Sequence, residues 1–239
     1  MHFPSTLLSG RFIRRYKRFF ADIELDNGRT VTAHCPNTGS MQGVLTSGNK
    51  VWISQSSDPK RKLPYTWELV EIDKTYVGVN TQNPNKIVSK ALLAGSISSL
   101  ATYSTIQAEV KYGNENSRID FLLTDIHHNR CYVEVKNVHY VKEENKRRVA
   151  IFPDSATTRG VKHLHELMTM VDQGHRAVIL YCIQRNDCEA MRFGMEFDPL
   201  YTKTAVNALK HGVEMIPYSC NITLSGINLY KPLDLITEI

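Results

Sequence analysis

The chain has 239 residues, of which 42% are hydrophobic, so it is long enough for one large domain or two modest ones with ordinary cores. Its first residues lack a charged start followed by a sustained apolar stretch, and no apolar run approaches the roughly 20 residues of a membrane span. These features argue against a secreted, membrane-spanning or disordered protein. Five cysteines, an odd number without a C-x-x-C pair, fit reduced thiols in the cytoplasm.

The positive charge is concentrated toward one end of the chain. The formal net charge is +5; residues 1–85 hold 11 lysines and arginines against 7 acidic residues, whereas residues 86–239 hold 18 against 17. A moderately basic protein favours polyanionic partners. The basic excess therefore lies mainly in the first third.

Short β-rich runs separated by turn residues fill that first third. The Asn27-Gly28 dipeptide between two of them is a strong hairpin signal. Because the runs lack helical periodicity, they predict a small closed or nearly closed β-barrel of the oligonucleotide-binding (OB) type over residues 1–83. The predicted strands cover residues 7–16, 17–25, 29–35, 50–55, 67–72 and 75–80. The polar, proline-containing segment 81–86 predicts a linker.

A second domain is predicted over residues 84–239, where helical and β patterns are mixed. Their order predicts an α/β fold in which a mixed (α+β) sheet is flanked by helices. The first three strands of this sheet are joined by polar turns at 113–116 and 125–129. The predicted helices are residues 86–95, 156–173 and 200–212, and the predicted strands are residues 106–112, 117–124, 130–140, 175–184 and 213–219.

The helix predicted over residues 156–173 has an apolar stripe and clear end signals. Asp154 or Ser155 is predicted to cap its N-terminus, and Gly174 to end it. The stripe consists of Val161, Leu164, Met168 and Val171.

Charged residues interrupt two of the apolar strands of this domain. In an extended strand Glu134 and Lys136 project from one face, while Val133 and Val135 project from the other. Asp120 likewise stands between apolar neighbours, on the face shared by Arg118 and Leu122. Such charges are costly to bury unless they are paired or bind metal. Carboxylates on adjacent antiparallel strands can approach within a few Å, which suits Mg²⁺ or Mn²⁺ together with phosphate oxygens.

This arrangement predicts metal-assisted phosphate chemistry. The metal would hold a phosphate and lower the pKa of a bound water, and Lys136 would orient that water and offset the charge of the transition state. Glu109 could supply a third carboxylate ligand or an outer contact. The alternative is that Asp120, Glu134 and Lys136 form an internal salt bridge on a partly exposed sheet face.

The segments around these residues resemble the PD-(D/E)XK nuclease signature, and the whole chain is similar to the sugar fermentation stimulation protein A family. The resemblance implies an N-terminal OB barrel, a C-terminal restriction-endonuclease-like domain and non-specific DNA binding. In this resemblance, Asp120, Glu134 and Lys136 occupy the acidic and lysine positions of the nuclease signature. The segments that carry it are residues 33–41, 109–113, 117–123, 132–138 and 152–167, with 175–185 more weakly.

A basic run near the N-terminus is interleaved with aromatic residues. Cations can follow a phosphate backbone while aromatic rings stack on unpaired bases. DNA contact is favoured for the cations over simple solvation, whereas the aromatic rings are favoured as barrel core. The cations are Arg11, Arg14, Arg15, Lys17 and Arg18, and the aromatic residues are Phe12, Tyr16, Phe19 and Phe20.

Two further motifs are weighed against plainer interpretations. Arg159 and His163, at i and i+4, share a helix face that would approach the phosphate if the helix packs as in the nuclease fold; a solvated face is the alternative. The loop at residues 36–41 could bind a phosphate through its amides, but a tight turn is favoured. A zinc site is a poor match, because the second histidine of H-E-x-x-H is missing.

Two functions from different classes follow. The first is a Mg²⁺- or Mn²⁺-dependent hydrolase acting on DNA as an endonuclease or exonuclease. The second is a non-catalytic DNA-binding regulator, in the cytoplasm or at the nucleoid, that retains the nuclease scaffold. In both, the expected partner is DNA, bound without sequence specificity and away from membranes, and a homodimer is left open. A sugar-metabolism enzyme finds no support, because neither a P-loop nor a nucleophile elbow is present.

Overall fold

A computed structural model of the chain describes residues 1–113 and 117–237. The first six strands form one sheet in the order β3-β2-β1-β4-β5-β6, and β3 also pairs with β5 in parallel, which closes the sheet into a barrel. Phe12 stacks on Trp67 inside it, with ring centroids 4.9 Å apart. The predicted OB-type barrel is confirmed. Its strands are β1 (Leu8–Tyr16), β2 (Phe20–Leu25), β3 (Thr30–His34), β4 (Lys50–Gln55), β5 (Tyr65–Ile72) and β6 (Thr75–Gly78).

The rest of the chain combines three helices with ten strands in the described residues. A central sheet has the order β15-β14-β12-β9-β8-β7, with β12 parallel to both β9 and β14, and a smaller sheet has the order β10-β11-β13-β16. The helices are α1 (Asn83–Leu93), α2 (Thr158–Asp172) and α3 (Pro199–His211). The strands are β7 (Thr105–Tyr112), β8 (Ser117–Thr124), β9 (Arg130–Val138), β10 (Val141–Glu144), β11 (Arg147–Phe152), β12 (Arg176–Ile183), β13 (Ala190–Phe193), β14 (Glu214–Thr223), β15 (Gly226–Pro232) and β16 (Asp234–Ile236).

The central sheet has a hydrophobic core on each face. On one face, Leu164 and Leu167 of α2 pack with Ala205 of α3 against alternate residues of β9 and β12. On the other face, α1 packs against the intervening residues of the same strands, together with Trp52 and Leu69 of the barrel. The predicted mixed sheet flanked by helices is therefore confirmed. Within the described part of the chain, no helix is both long and apolar enough to cross a membrane.

Backbone and side-chain hydrogen bonds join the barrel to the second domain. The backbone N–H of Gly78 donates to the carbonyl of Gln184 at 2.8 Å, and the Gln184 amide donates to the Asn80 carbonyl at 3.1 Å and to Asn137 at 2.7 Å. Gln184 is fully buried. A Cβ added at Gly78 would lie 2.4 Å from the Gln184 side chain, so this junction needs a glycine. The barrel is thus packed rigidly against the domain that follows.

Several sequence-based boundaries are corrected by the structure. The predicted linker 81–86 is not a separate segment, because α1 begins at Asn83 with Pro84 in its first turn, where a missing N–H costs nothing. The charged stretch at residues 142–148 is a β hairpin formed by β10 and β11. Strands β10, β11, β13, β15 and β16 have no counterpart among the predicted strands. Of the predicted turn at 113–116, residues 114–116 lie outside the described residues.

The predicted helix cap is also corrected. Thr157, rather than Asp154 or Ser155, caps α2, since its side chain accepts a hydrogen bond from the Gly160 N–H at 3.0 Å. Asp154 instead accepts from Ser40 of the barrel at 2.8 Å. That partner is 114 residues away along the chain, so local cap preferences did not reveal it. Gly174 follows the end of α2 as predicted, with a φ of +80°.

One buried carboxylate fixes the starts of α2 and α3 together. Asp198 accepts from the N–H of Thr157 at 2.7 Å and from the N–H of Tyr201 at 2.9 Å. Asp198→Ala should lower the free energy of unfolding by about 2–3 kcal/mol, because two helix-terminal donors lose a charged acceptor. Urea denaturation would measure this. Asp172→Ala, which removes an exposed carboxylate from the other end of α2, should cost under about 0.5 kcal/mol. Equal losses in the two variants would contradict the assignment.

Candidate functional site

Strand β9 carries two of the predicted site residues on the face that α2 covers. Val133 and Val135 pack into the core on the opposite face, so the predicted alternation is confirmed. The Lys136 ammonium lies 2.8 Å from Glu134 Oε1. Glu134 is only 4% exposed, yet its second oxygen, Oε2, has no hydrogen-bond partner among the residues that the structure describes.

A histidine from α2 also binds Glu134. His163 Nδ1 makes a short hydrogen bond to Glu134 Oε1, and Arg159 Nε donates to His163 Nε2 at 3.2 Å. Because Nε2 accepts from Arg159, the proton of the neutral ring belongs on Nδ1, which then donates to the carboxylate. Arg159 and His163 therefore share one helix face, as predicted, and the structure adds a hydrogen bond between them. His163 is buried, whereas Arg159 is exposed, and both line an open cleft.

Asp120 lies where strands β8 and β9 separate. Their ladder ends at the pair Phe121 and Val133, and beyond it the Asp120 carboxylate accepts from the Val135 N–H at 2.7 Å. Its other oxygen accepts from Asn85 of α1 at 2.7 Å. The predicted alternation fails here, since both Ile119 and Leu122 belong to the core beneath α2 and α3. Asp120 therefore lies between the strands, beside the Glu134 face.

Glu109 stands opposite this break on strand β7. The pairing of β7 with β8 runs to Ala108 and resumes at Val110, and Glu109 has the left-handed φ of +56°. Such a conformation is costly for a residue with a side chain and is found at functional sites. Glu109 is exposed and, with Asp120 and Arg159, lines an open cleft of about 370 Å³.

The carboxylates of Asp120 and Glu134 differ in the direction of their pKa shifts. Burial raises the pKa of Asp120 above its ordinary value, and the nearby charge of Glu134 acts in the same direction. Burial also acts to raise the pKa of Glu134, but the hydrogen bond from His163 and the charge of Lys136 outweigh it and lower that pKa. The surroundings therefore favour the charged form of Glu134 and disfavour that of Asp120, and a cation beside Asp120 would act against the second effect.

The residues present fit a divalent metal only in part. In residues 1–113 and 117–237, no group of three or more His, Cys, Asp or Glu side chains is arranged to hold an ion. Two carboxylates suffice for Mg²⁺ when water and phosphate complete its shell. The unpartnered Oε2 of Glu134 is the atom that such an ion would satisfy.

The basic run forms the β1–β2 hairpin of the barrel. Phe12 is core, as favoured, whereas Phe19 at the turn is 48% exposed. Arg14 pairs with Asp22 at 2.9 Å, and Arg15 donates to the Asn37 carbonyl at 2.8 Å. Arg11 donates to the Gly48 carbonyl at 3.0 Å while remaining exposed. Lys17 and Arg18 are exposed at the turn, where both have positive φ angles.

Three polar residues of this region were not predicted from the sequence. Asn85 binds Asp120, but it lay in the segment interpreted as a linker. Tyr112 is buried with its hydroxyl unpartnered in the described residues, and Glu134, Glu166 and Asp120 add to the effect of burial in raising its pKa. His139 lies just after the E-x-K strand and was counted as part of it. None of the three has a local sequence signal that marks it out.

Fold and site together define a two-domain protein, an OB barrel followed by a mixed α/β domain with an Asp-Glu-Lys site. Residues 13–79 match the family model described as SfsA N-terminal OB domain, and residues 82–226 match that described as Sugar fermentation stimulation protein RE domain. The chain belongs to the sugar fermentation stimulation protein family.

Relatives match the chain over almost its whole length. A sugar fermentation stimulation protein homolog from Rhodospirillum centenum is 50% identical, covering 98% of this chain and 99% of that protein. The homolog from Maricaulis maris is 47% identical, covering 98% and 97%. The solved structure of Pyrococcus furiosus SfsA in complex with Ca²⁺ superposes with a TM-score of 0.87 at 23% identity, covering 99% of this chain and 98% of that one. At that identity, the structural match shows the shared fold alone.

The role of His163 can be tested through stability and pH. A carboxyl with a lowered folded-state pKa stabilises the fold above its unfolded pKa, and that contribution disappears as pH falls through the folded pKa. His163→Ala should therefore cost about 1–3 kcal/mol at neutral pH, and less well below the ordinary Glu value of 4.5. Urea denaturation in EDTA at both pH values measures the difference. His165→Ala, at an exposed position of the same helix, is the control. A cost that does not depend on pH would contradict the pairing.

Proposed function

We propose that the chain binds DNA without sequence specificity and hydrolyses it as a metal-dependent phosphodiesterase. The observation that carries this proposal is a pair of carboxylates: Asp120 lines an open cleft, and the buried Glu134, ion-paired with Lys136, binds His163 of the same cleft. The unpartnered oxygen of Glu134 is unexplained by a purely internal ion pair. The RE-domain match supports a nuclease scaffold.

The divalent ion would be held by Asp120 and Glu134, and Glu109, which lines the same cleft as Asp120, would bind one of its coordinated waters. When bound, Mg²⁺ or Mn²⁺ would lower the pKa of a water and offset charge on the phosphate. The Ca²⁺ in the Pyrococcus furiosus protein supports a divalent ion in this family. Oxygen ligands of this kind suit all three ions.

The cations around the carboxylates would bind the phosphate. Lys136 is held by Glu134 and is mostly buried, so its charge is screened little by solvent and acts strongly on a group in the cleft. Arg159 is exposed at the cleft edge, where its guanidinium can bind phosphate oxygens. His163 keeps both side chains in place, through Glu134 on one nitrogen and Arg159 on the other. Its role is to position them at the cleft, which it also lines.

The barrel would supply affinity. Lys17 and Arg18 are exposed at the hairpin turn, next to the exposed ring of Phe19. The hairpin is fixed to the loop that faces the second domain, because the Cys35 N–H donates to the Phe19 carbonyl at 2.7 Å and Arg15 donates to Asn37. A strand of DNA bound to the hairpin would thus be directed toward the second domain.

A non-catalytic DNA-binding regulator is the second candidate. It is favoured by the hydrogen bonds that Lys136 and His163 already make to Glu134 Oε1, which partly satisfy that carboxylate without metal. In this alternative the ion pair stabilises the sheet, and DNA binding alone is the function. Cleavage and binding must therefore be measured on the same variants.

Glu134→Gln preserves the shape of the side chain but removes a negative charge facing the phosphate. It should abolish cleavage of plasmid and single-stranded DNA in Mg²⁺ or Mn²⁺, and it should leave binding in EDTA unchanged or stronger. Lys136→Ala should abolish cleavage and modestly weaken binding, because it removes a cation. Nicking assays and fluorescence anisotropy give the two readouts.

Control variants carry the same charge changes at exposed sites. Glu189→Gln and Lys203→Ala should leave cleavage at the wild-type rate. If wild-type protein cuts no DNA under any divalent metal and binds it as tightly as Glu134→Gln does, the nuclease proposal is wrong and the regulator stands.

The hairpin is tested through the salt dependence of binding. Removing one cation that binds a phosphate should reduce the slope of log K against log salt by up to about 0.9 on duplex DNA, so replacing both Lys17 and Arg18 with Ala should flatten it clearly. Replacing Lys203 and Lys210 of α3 with Ala removes the same charge at exposed positions and should leave the slope unchanged. An unchanged slope in the hairpin variant would show that DNA lies elsewhere.

A further inference from the structure

A second cleft, of about 450 Å³, lies between the barrel and the second domain. One wall is the barrel loop with Asn37 and Gly39, and the other contains His139, Asp154 and Arg159. Arg159 also lines the cleft of Asp120 and Glu109 described above. The two clefts therefore meet at one exposed guanidinium.

Two buried polar atoms in this second cleft have no partner in the described parts of the chain. They are the amide nitrogen Nδ2 of Asn37 and the ring nitrogen Nε2 of His139. Asn37 and His139 are 3% and 5% exposed, and both line the cleft. The closest carboxylate oxygen to His139 Nε2 is that of Asp154 at 3.9 Å, beyond hydrogen-bond range. Unpaired buried polar groups are costly and uncommon in folded proteins, so both atoms point to a ligand.

The side chains that line this second cleft indicate which kind of ligand it would bind. Asp154 puts a carboxylate in the cleft, fixed by Ser40 at 2.8 Å, and this charge repels a phosphate. Burial lowers the pKa of His139, so its ring is neutral at neutral pH. The amide of Asn37 donates, the carboxylate accepts, and Tyr140 and Phe152 add aromatic surface. A flat, uncharged heterocycle with both donors and acceptors matches this set, and the volume is that of an ordinary small-ligand pocket.

The loop that carries Asn37 is held in a fixed shape. Asn37 Oδ1 accepts from the Gly39 N–H at 2.9 Å, which leaves Nδ2 as the group of that side chain available to a ligand. Arg15 of the basic hairpin donates to the Asn37 carbonyl. The cleft therefore lies between the proposed DNA-binding hairpin and the proposed catalytic carboxylates.

We infer that this cleft holds one unpaired base of a DNA strand whose neighbouring phosphate lies at Arg159, beside the Asp120 and Glu134 site. The inference rests on the proposed DNA binding and specifies its substrate, a strand with an unstacked nucleotide rather than a continuous duplex. A base rotated out of its stack presents its hydrogen-bonding edge to a protein pocket. Arg159 then binds the phosphate that leads from the cleft to the catalytic site.

The test compares three duplexes of equal length in EDTA by fluorescence anisotropy: fully paired, with one extra central nucleotide, and with the same extra position abasic. Wild-type protein should bind the extra base about tenfold tighter than the abasic site, as expected for one bound base. Asn37→Asp keeps the Oδ1 acceptor but replaces the Nδ2 donor, and it should reduce this ratio to near one. Asn27→Asp adds the same charge in the exposed β2–β3 turn and should leave the ratio unchanged.

The outcomes separate this inference from the proposed function. Equal wild-type binding to base and abasic duplexes would overturn the inference and leave DNA binding intact, whereas binding to none of the duplexes would overturn both. If the cleft binds a base, Asp154→Asn should lower the ratio of affinities for the extra-base and abasic duplexes. If this variant instead binds all three duplexes more tightly by the same factor, the cleft binds a phosphate. A free 5′-mononucleotide that binds as tightly as the DNA, and loses binding in Asn37→Asp, would show that the cleft serves a small molecule.

Discussion

The negative charge of Glu134, buried in a hydrophobic sheet, is the constraint on which the rest of the structure depends. A carboxylate taken out of water is stable only when other charges and donors compensate it. Lys136 does so from the same strand, because two residues return the chain to the same face. His163 does so from α2, and the start of α2 is fixed by Asp198. The packing of α2 and α3 on this face is therefore coupled to the site it covers.

The barrel is also coupled to the site, because it packs directly on the second domain rather than being connected to it by a flexible linker. Trp52 and Leu69 of the barrel belong to the same core as α1, and the buried Gln184 binds backbone and side-chain groups at the domain junction. Asn85 of α1 in turn binds Asp120. The helix after the barrel thus touches the candidate metal site directly. The distance and direction from the barrel surface to the two carboxylates are consequently fixed. The proposed binding of one DNA strand by both domains would need such a fixed arrangement.

The sequence predicted the barrel, the mixed sheet and the Glu134–Lys136 face, because these follow from local alternation and turn signals. It could not predict the position of Asp120, since the left-handed Glu109 opposite breaks the alternation that the prediction assumed. The β10–β11 hairpin was not predicted either, because its charged turn region, residues 142–148, is stabilised by side chains far away along the chain. Arg148 binds both Asp73 of the barrel and Asp187. Contacts of this kind between distant segments leave no periodic signal.

Three features of the site are energetically unfavourable, and they bear on its function. An ion pair kept only for stability gains most when both carboxylate oxygens are satisfied, and similar-sized apolar residues often serve as well. Among the described residues Glu134 leaves one oxygen unpaired, Asp120 is half-buried near a like charge, and Glu109 adopts a conformation worth about 1–3 kcal/mol of strain. Asp120 and Glu109 line one cleft, and Glu134 binds His163, which lines it too. A cation shared by these carboxylates would offset the first two at once, which is the energetic argument for the proposed metal site over a simple structural ion pair.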